Sequence, residues 1–173
     1  MKYAILLFPV LLTCWGHASA GEELAFTHLP VQAVAGTAQH FSARGKRVEI
    51  LFQSFAEPAD PAVEAFPEPP VRLRDRQGNS ICDISQGGIW VRSQVYLDRS
   101  ERYLLLSEYS GSSTDLVAYD TRNCQPIRRL DVSGARWEIE GGKARLGEEC
   151  SGATLQSCQR IGPLDLRIFV FPG

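Results

Sequence analysis

Lysine is nearly missing from this chain: beyond residue 2 only Lys46 and Lys143 occur. No basic block stands out, and the formal net charge is −2. That balance argues against nucleic acid or an anionic membrane as partner. No apolar run approaches the ~20 residues that a membrane-crossing helix needs, so no membrane span is expected. The C-x-x-C pattern is absent, which argues against a disulfide oxidoreductase. Close cysteine pairs with histidines nearby are absent too, which argues against a zinc site. There is no G-x-S-x-G elbow and no S-x-x-K pair to activate a serine. Past the N-terminal segment the histidines are His28 and His40, outside any motif and expected to be satisfied, partly buried side chains. Long segments with a helical period are lacking as well. No catalytic residue, metal or cofactor is expected.

The N-terminus carries the pattern of an export signal. Met1-Lys2 gives a short positive start, Tyr3 to Trp15 is largely apolar, and Ala18-Ser19-Ala20 fits a small-residue cleavage site. Residues 1–20 are therefore read as a cleaved signal peptide, with the mature chain starting at Gly21 and exported to the periplasm. Leu11-Leu12-Thr13-Cys14 offers a lipidation alternative, but the threonine before the cysteine fits it poorly. Removing the signal leaves Cys82, Cys124, Cys150 and Cys158, an even number in an oxidising compartment. Four cysteines allow three pairings. The short turn-like loop between Cys150 and Cys158 favours that bridge, which leaves Cys82 with Cys124.

What remains, residues 21–173, has the length of a single domain and reads as β throughout. Strand-like runs lie at 46–55, 71–74, 80–84, 90–97, 103–106, 116–119, 127–130, 136–140 and 164–171. In Arg136-Trp-Glu-Ile-Glu140 the apolar and acidic residues alternate, as a half-buried antiparallel strand requires. Residues 24–41 read as mostly irregular. Residues 56–70, rich in proline and acid, read as an exposed loop. A faint repeat matches 73–84 with 118–130, Gly87-Gly-Ile-Trp90 with the segment ending at Trp137, and Arg47-Val-Glu-Ile-Leu51 with Arg102-Tyr-Leu-Leu-Leu106. Its period resembles one propeller blade, but at most three units fit, too few for a closed ring. The expected fold is all-β: twisted antiparallel sheets of propeller-blade-like repeats, held by disulfides.

One connection stands apart. Between the runs ending at Glu108 and beginning at Asp115 lies Tyr109-Ser-Gly-Ser-Ser-Thr114, small and rich in hydroxyls. A tight hairpin needs only two residues, so Ser110 to Thr114 reads as a longer tip. Its serines have no base nearby in sequence and make weak nucleophiles. It is either a plain hairpin tip or a narrow binding finger, with Tyr109 at its base and Tyr119 across the hairpin as aromatic contact area.

A small exported chain with four mature cysteines, blade-like hairpins and a Ser-Gly-Ser-Ser finger resembles the periplasmic immunity proteins that protect bacteria from type VI secretion amidase toxins. The resemblance implies a protein partner, the cognate peptidoglycan amidase effector, and inhibition rather than catalysis. It implies that a loop serine approaches the toxin's Cys/His pair. The carried-over finger is Tyr109, Ser110, Gly111, Ser112 and Ser113, with Thr114 closing the loop. Two other readings stay open: an envelope binding or accessory module that uses the 56–70 loop, and a hydrolase with a carboxylate pair among Glu138, Glu140, Glu148 and Glu149.

Overall fold

In the computed structural model, residues 24–37, 39–55 and 60–170 are described. The expected signal peptide and its cleavage site lie outside them, as do residues 56–59 of the proline-rich stretch. The described residues form fourteen strands: β1 Phe26–His28, β2 Val31–Ala33, β3 His40–Arg44, β4 Val48–Gln53, β5 Ala65–Phe66, β6 Glu68–Asp75, β7 Ser80–Ile84, β8 Ile89–Asp98, β9 Tyr103–Ser110, β10 Ser113–Asp120, β11 Gln125–Asp131, β12 Arg136–Glu140, β13 Lys143–Cys150 and β14 Cys158–Leu164. None of the described helices is long and apolar enough to cross a membrane.

The strands make three antiparallel sheets. The first has the order β2-β3-β4-β6-β7, the second β1-β8-β9-β10-β11 with β5 also on β8, and the third β12-β13-β14. The all-β expectation holds. The internal repeat maps onto two four-strand meanders, β3-β4-β6-β7 and β8-β9-β10-β11. Its paired acids do the same work: Asp75 accepts from the backbone of Gln77 and Asn79, and Asp120 from that of Arg122. These carboxylates hold the β6–β7 and β10–β11 turns closed.

The second sheet is buried on both faces, and this explains its sequence. Leu104 and Leu106 of β9 join Val117 and Tyr119 of β10 in one core, with Phe41, Ile50, Phe52 and Leu73 of the first sheet. Leu105, Leu116 and Ala118 face the other way, into a second core with Ala144, Trp137 and Leu146 of the third sheet. A strand covered on both sides has no polar face to alternate with, so it reads as a continuous apolar run. β12 has one covered face and keeps its alternation: Trp137 and Ile139 pack inward.

Glu101, in the turn before β9, fastens the first two sheets together. Its carboxylate accepts from the backbone N–H groups of Lys46, Arg47 and Val48 in the β3–β4 turn. This charge is therefore buried with several donors, the condition under which a buried carboxylate is tolerated.

The segment 56–70 is not simply an exposed loop. Its end pairs with β8 through Ala65↔Val91 and Phe66↔Trp90. Phe66 is 1% exposed and stacks on Phe52, centroids 4.8 Å apart. β8 bulges between Trp90 and Val95 to receive it. From that bulge Arg92 reaches the carbonyls of Val31, Pro61 and Val63 and lies over the Phe41 ring. Proline cannot donate to a ladder, but its carbonyl accepts, and Arg92 takes up that of Pro61 with those of two valines. Residues 24–41 also differ from the irregular expectation, forming β1, β2 and β3. At the other end, 164–171 is not a strand. β14 stops at Leu164, and Leu166–Phe169 forms a 3-10 turn begun by Asp165, whose side chain accepts from Arg167 N–H. β13 and β14, which the sequence reading left out, complete the third sheet.

Candidate functional site

Strands β9 and β10 run unbroken to the tip, with Ser113 opposite Ser110, Thr114 opposite Tyr109 and Asp115 opposite Glu108. The expected longer loop is thus a two-residue turn, Gly111-Ser112. Gly111 has φ +62°, whereas Ser112 does not enter the left-handed region. Glycine at the first central position is the mark of a type II′ hairpin, whose twist matches that of its strands. A Cβ on Gly111 would meet nothing within 4 Å. The tip is a narrow two-residue turn rather than a longer loop.

The hydroxyls divide into two kinds. Ser113 Oγ donates to the Ser110 carbonyl at 2.9 Å and is committed to the hairpin. Among the described residues the hydroxyls of Ser110 and Ser112 have no partner, and both residues are exposed. Tyr109 is 42% exposed and sits directly opposite Ile89, itself 39% exposed, so an apolar pair borders the tip. Tyr119 behaves otherwise. It is 2% exposed and points into the first core, so it offers no contact area.

Both flanks of the finger are braced. On one side Thr114 N–H donates to Ser133 Oγ at 3.0 Å and Val132 N–H to the Thr114 carbonyl at 2.8 Å. On the other, Gly88 lies so close that a Cβ there would fall 1.9 Å from the Tyr109 carbonyl oxygen. Only glycine permits that approach.

Below the tip lies a buried carboxylate, Glu108, with a side chain 1% exposed. Oε1 accepts from Trp90 Nε1 at 3.2 Å and from the Tyr119 hydroxyl in a short hydrogen bond. Oε2 accepts from Arg129 at 2.8 Å, and Arg129 also pairs with Asp115 at 2.8 Å. Burial, followed by the Glu108 hydrogen bond, pushes the Tyr119 phenol well above its ordinary range. The sequence reading missed this cluster. Its signal was an acid at the inward period of β9, two residues beyond Leu106, with a tryptophan and an arginine on neighbouring strands.

Tyr119, Arg129 and Asp115 line a cleft of about 650 Å³ beside β7 and β10, together with Asp83, Gln86, Ser110, Ser113 and Cys124. Cys124 is bonded to Cys82, joining the edge of the first sheet to the β10–β11 turn of the second. Cys150 is bonded to Cys158 across the paired ends of β13 and β14. Both bridges follow the expected pairing.

The other sequence candidates lie apart. His28 and His40 are exposed, not partly buried; His28 meets the Tyr96 ring edge-on. Glu138 pairs with Arg145, and Glu148 and Glu149 both pair with Arg160. Among the described residues no three His, Cys, Asp or Glu side chains gather as metal ligands.

A family model described as "Immune protein Tsi1" matches residues 24–170, which takes in every strand described above. The chain belongs to this family. A curated relative, the immune protein Tsi1 of Pseudomonas aeruginosa, is 40% identical over 139 residues, 80% of each chain. Membership in the Tsi1 immune family supports the resemblance to immunity proteins read from the sequence.

Proposed function

We propose that this member of the Tsi1 immune family is the periplasmic immunity protein of a type VI secreted peptidoglycan amidase. It binds the toxin without catalysing a reaction and occludes a Cys/His active site with the β9–β10 tip. The observation that carries this reading is the tip itself: a tight hairpin whose Ser110 and Ser112 hydroxyls have no partner among the described residues, beside the exposed Tyr109. A narrow tip with no bulky side chain fits a cleft built for a peptide stem. Hydroxyls at its end can donate to or accept from a catalytic pair.

Each part of the tip has a distinct task. Tyr109 contributes rigid contact area at the mouth of the cleft. Ser110 and Ser112 supply the polar contact, while Ser113 closes the hairpin. Two disulfides and the export-type N-terminus fit a protein that meets its toxin in the periplasm.

The test is residual activity of the cognate amidase with each variant in excess, beside a thermal melt. Ser110→Ala with Ser112→Ala, and Tyr109→Ala, should each weaken binding by at least ~2 kcal/mol, as interface hot spots do. Ser113→Ala should weaken it less. A folded Ser110→Ala/Ser112→Ala/Tyr109→Ala variant that inhibits at wild-type potency would sink the reading. N-terminal sequencing of periplasmic material should start at Gly21; a lipidated Cys14 would refute soluble export.

A further inference from the structure

We infer that Glu108 is the positioning residue of the finger: its buried hydrogen-bond cluster with Trp90, Tyr119 and Arg129 holds the β9–β10 tip in the geometry that binds the toxin. The inference rests on the reading of the tip as the toxin-binding element.

Three observations carry it. The first is placement. Glu108 lies two residues before Ser110 on the same strand, and its neighbour across the hairpin, Asp115, lies two residues after Ser113. The second is reach. Glu108 is on β9, Trp90 on β8, Tyr119 and Asp115 on β10, and Arg129 on β11, so a single carboxylate ties four adjacent strands at the root of the tip. The third is the form of the tip. A two-residue turn has no loop of its own to adjust, so its direction is set by the strands below it. Fixing β9 against β8 and β10 at Glu108 fixes where Ser110 and Ser112 point.

A purely apolar plug would fill the same volume. Replacing a buried ionic cluster by apolar residues of similar size is often neutral or stabilising. What it cannot do is specify orientation, because apolar contacts have no directional preference. The cluster's contribution is therefore a defined tip, and its loss lowers the population of the binding-competent conformer. If that population falls to roughly a tenth, apparent affinity falls about tenfold, with no toxin contact removed.

The experiment uses the full mature chain, the cognate amidase and three variants. Glu108→Gln keeps the shape but turns an amide toward Arg129. Glu108→Leu with Tyr119→Phe and Arg129→Met removes the carboxylate and two of its three donors, leaving only Trp90. Ser110→Ala with Ser112→Ala removes tip contacts but not the cluster. Each is measured for melting temperature, amide hydrogen exchange at residues 109–114, and association and dissociation rates. The apolar triple variant should melt close to wild type, yet exchange faster at the tip and bind about tenfold more weakly, mainly through slower association. Glu108→Gln should shift in the same direction.

If the triple variant folds, and its tip exchanges and binds as in wild type, Glu108 has no positioning role. The serine variant separates the two claims. If it loses binding while folded cluster variants do not, the positioning inference alone fails. If neither loses binding, the tip is not the toxin-binding element and both fail. Should the triple variant not fold, Tyr119→Phe alone, which removes one donor and no volume of note, gives the same comparison. Unchanged exchange and binding there would overturn the inference.

Discussion

Two glycines in and beside the finger do opposite jobs. Gly111 stands in open space and is required only by its positive φ. Gly111→Ala should therefore lower stability by about 1 kcal/mol. Gly111→Asn should lower it less, since asparagine visits that region readily. Both should impair inhibition by more than they destabilise, because on the proposed reading of the tip the added atoms would face the toxin. Gly88→Ala differs. Its methyl collides with the Tyr109 carbonyl, so β8 or the finger must move. That variant should lose stability and inhibition together, and chemical denaturation run beside the amidase assay distinguishes the two patterns. Equal losses at both glycines would contradict this division.

Tyr119 carries a further residue-scale prediction. The folded protein holds its phenol above the ordinary value through burial and the Glu108 hydrogen bond, and burial raises Tyr96 likewise. A group whose folded pKa is raised contributes stability that is present below the unfolded value, near ~10, and lost as pH rises past it. In a spectrophotometric titration to about pH 11, those two tyrosines should stay neutral while the fold persists, then ionise with unfolding. Smooth titration of every tyrosine near pH 10 in folded protein would refute the buried cluster.

At the scale of elements, the two disulfides should differ in effect. Cys82–Cys124 spans 42 residues and Cys150–Cys158 only 8. Loop-closure entropy gives about 4 kcal/mol for the first and about 2.5 for the second. Cys82→Ala/Cys124→Ala should therefore reduce the denaturation midpoint more than the other pair. The reverse order would count against the entropic account.

How far the elements could be read from sequence depended on what covered them. β4 and β6 to β12 were legible because turn residues bound runs of strand formers. The final stretch misled because Leu164, Leu166, Ile168 and Val170 alternate like a strand. Leu166 and Phe169, three apart, are the buried positions of a 3-10 turn, and Asp165 caps it. β1 to β3 are short: β1 becomes a strand by pairing with the distant β8, and β2 and β3 by pairing in sequence with each other and with β4. β13 hid behind its charges, although Ala144 and Leu146 alternate inward. The finger's composition was plain in the sequence. Its two-residue turn was not, because Ser110 and Ser113 belong to strands whose register only the whole sheet sets. Glu108 stands at the inward period of β9, but its partners Trp90, Tyr119 and Arg129 come together only in the folded sheet.

For the whole molecule, acid should be the more damaging extreme of ordinary buffer conditions. Asp75, Asp120 and Asp131 are held below the usual carboxylate range by the Asn79 side chain, the Arg122 guanidinium and the Ser133 hydroxyl respectively. Arg167 brings Asp165 to about 2. Depressed folded values mean that this stability is complete above the unfolded pKa, near ~3.9, and is lost as pH falls through the folded values. Melting temperature should thus hold steady with respect to these acids above about pH 5 and decline from about pH 4 downward. A melt unchanged at about pH 2 would show that the turns they close contribute little.

The two-sided burial of β9 has a consequence for how the chain avoids misfolding. Successive residues of this strand enter different cores, and the leucines at 104, 105 and 106 would suit either one. Aliphatic chemistry alone would let β9 pair one residue out of step, exchanging its faces. Glu108 prevents this. In the shifted pairing its carboxylate would enter the core shared with the third sheet, without Arg129 to neutralise it or Tyr119 to donate to it, a penalty of several kcal/mol. The acid at the root of the finger thus marks the register: the mispaired sheet would bury it without its partners.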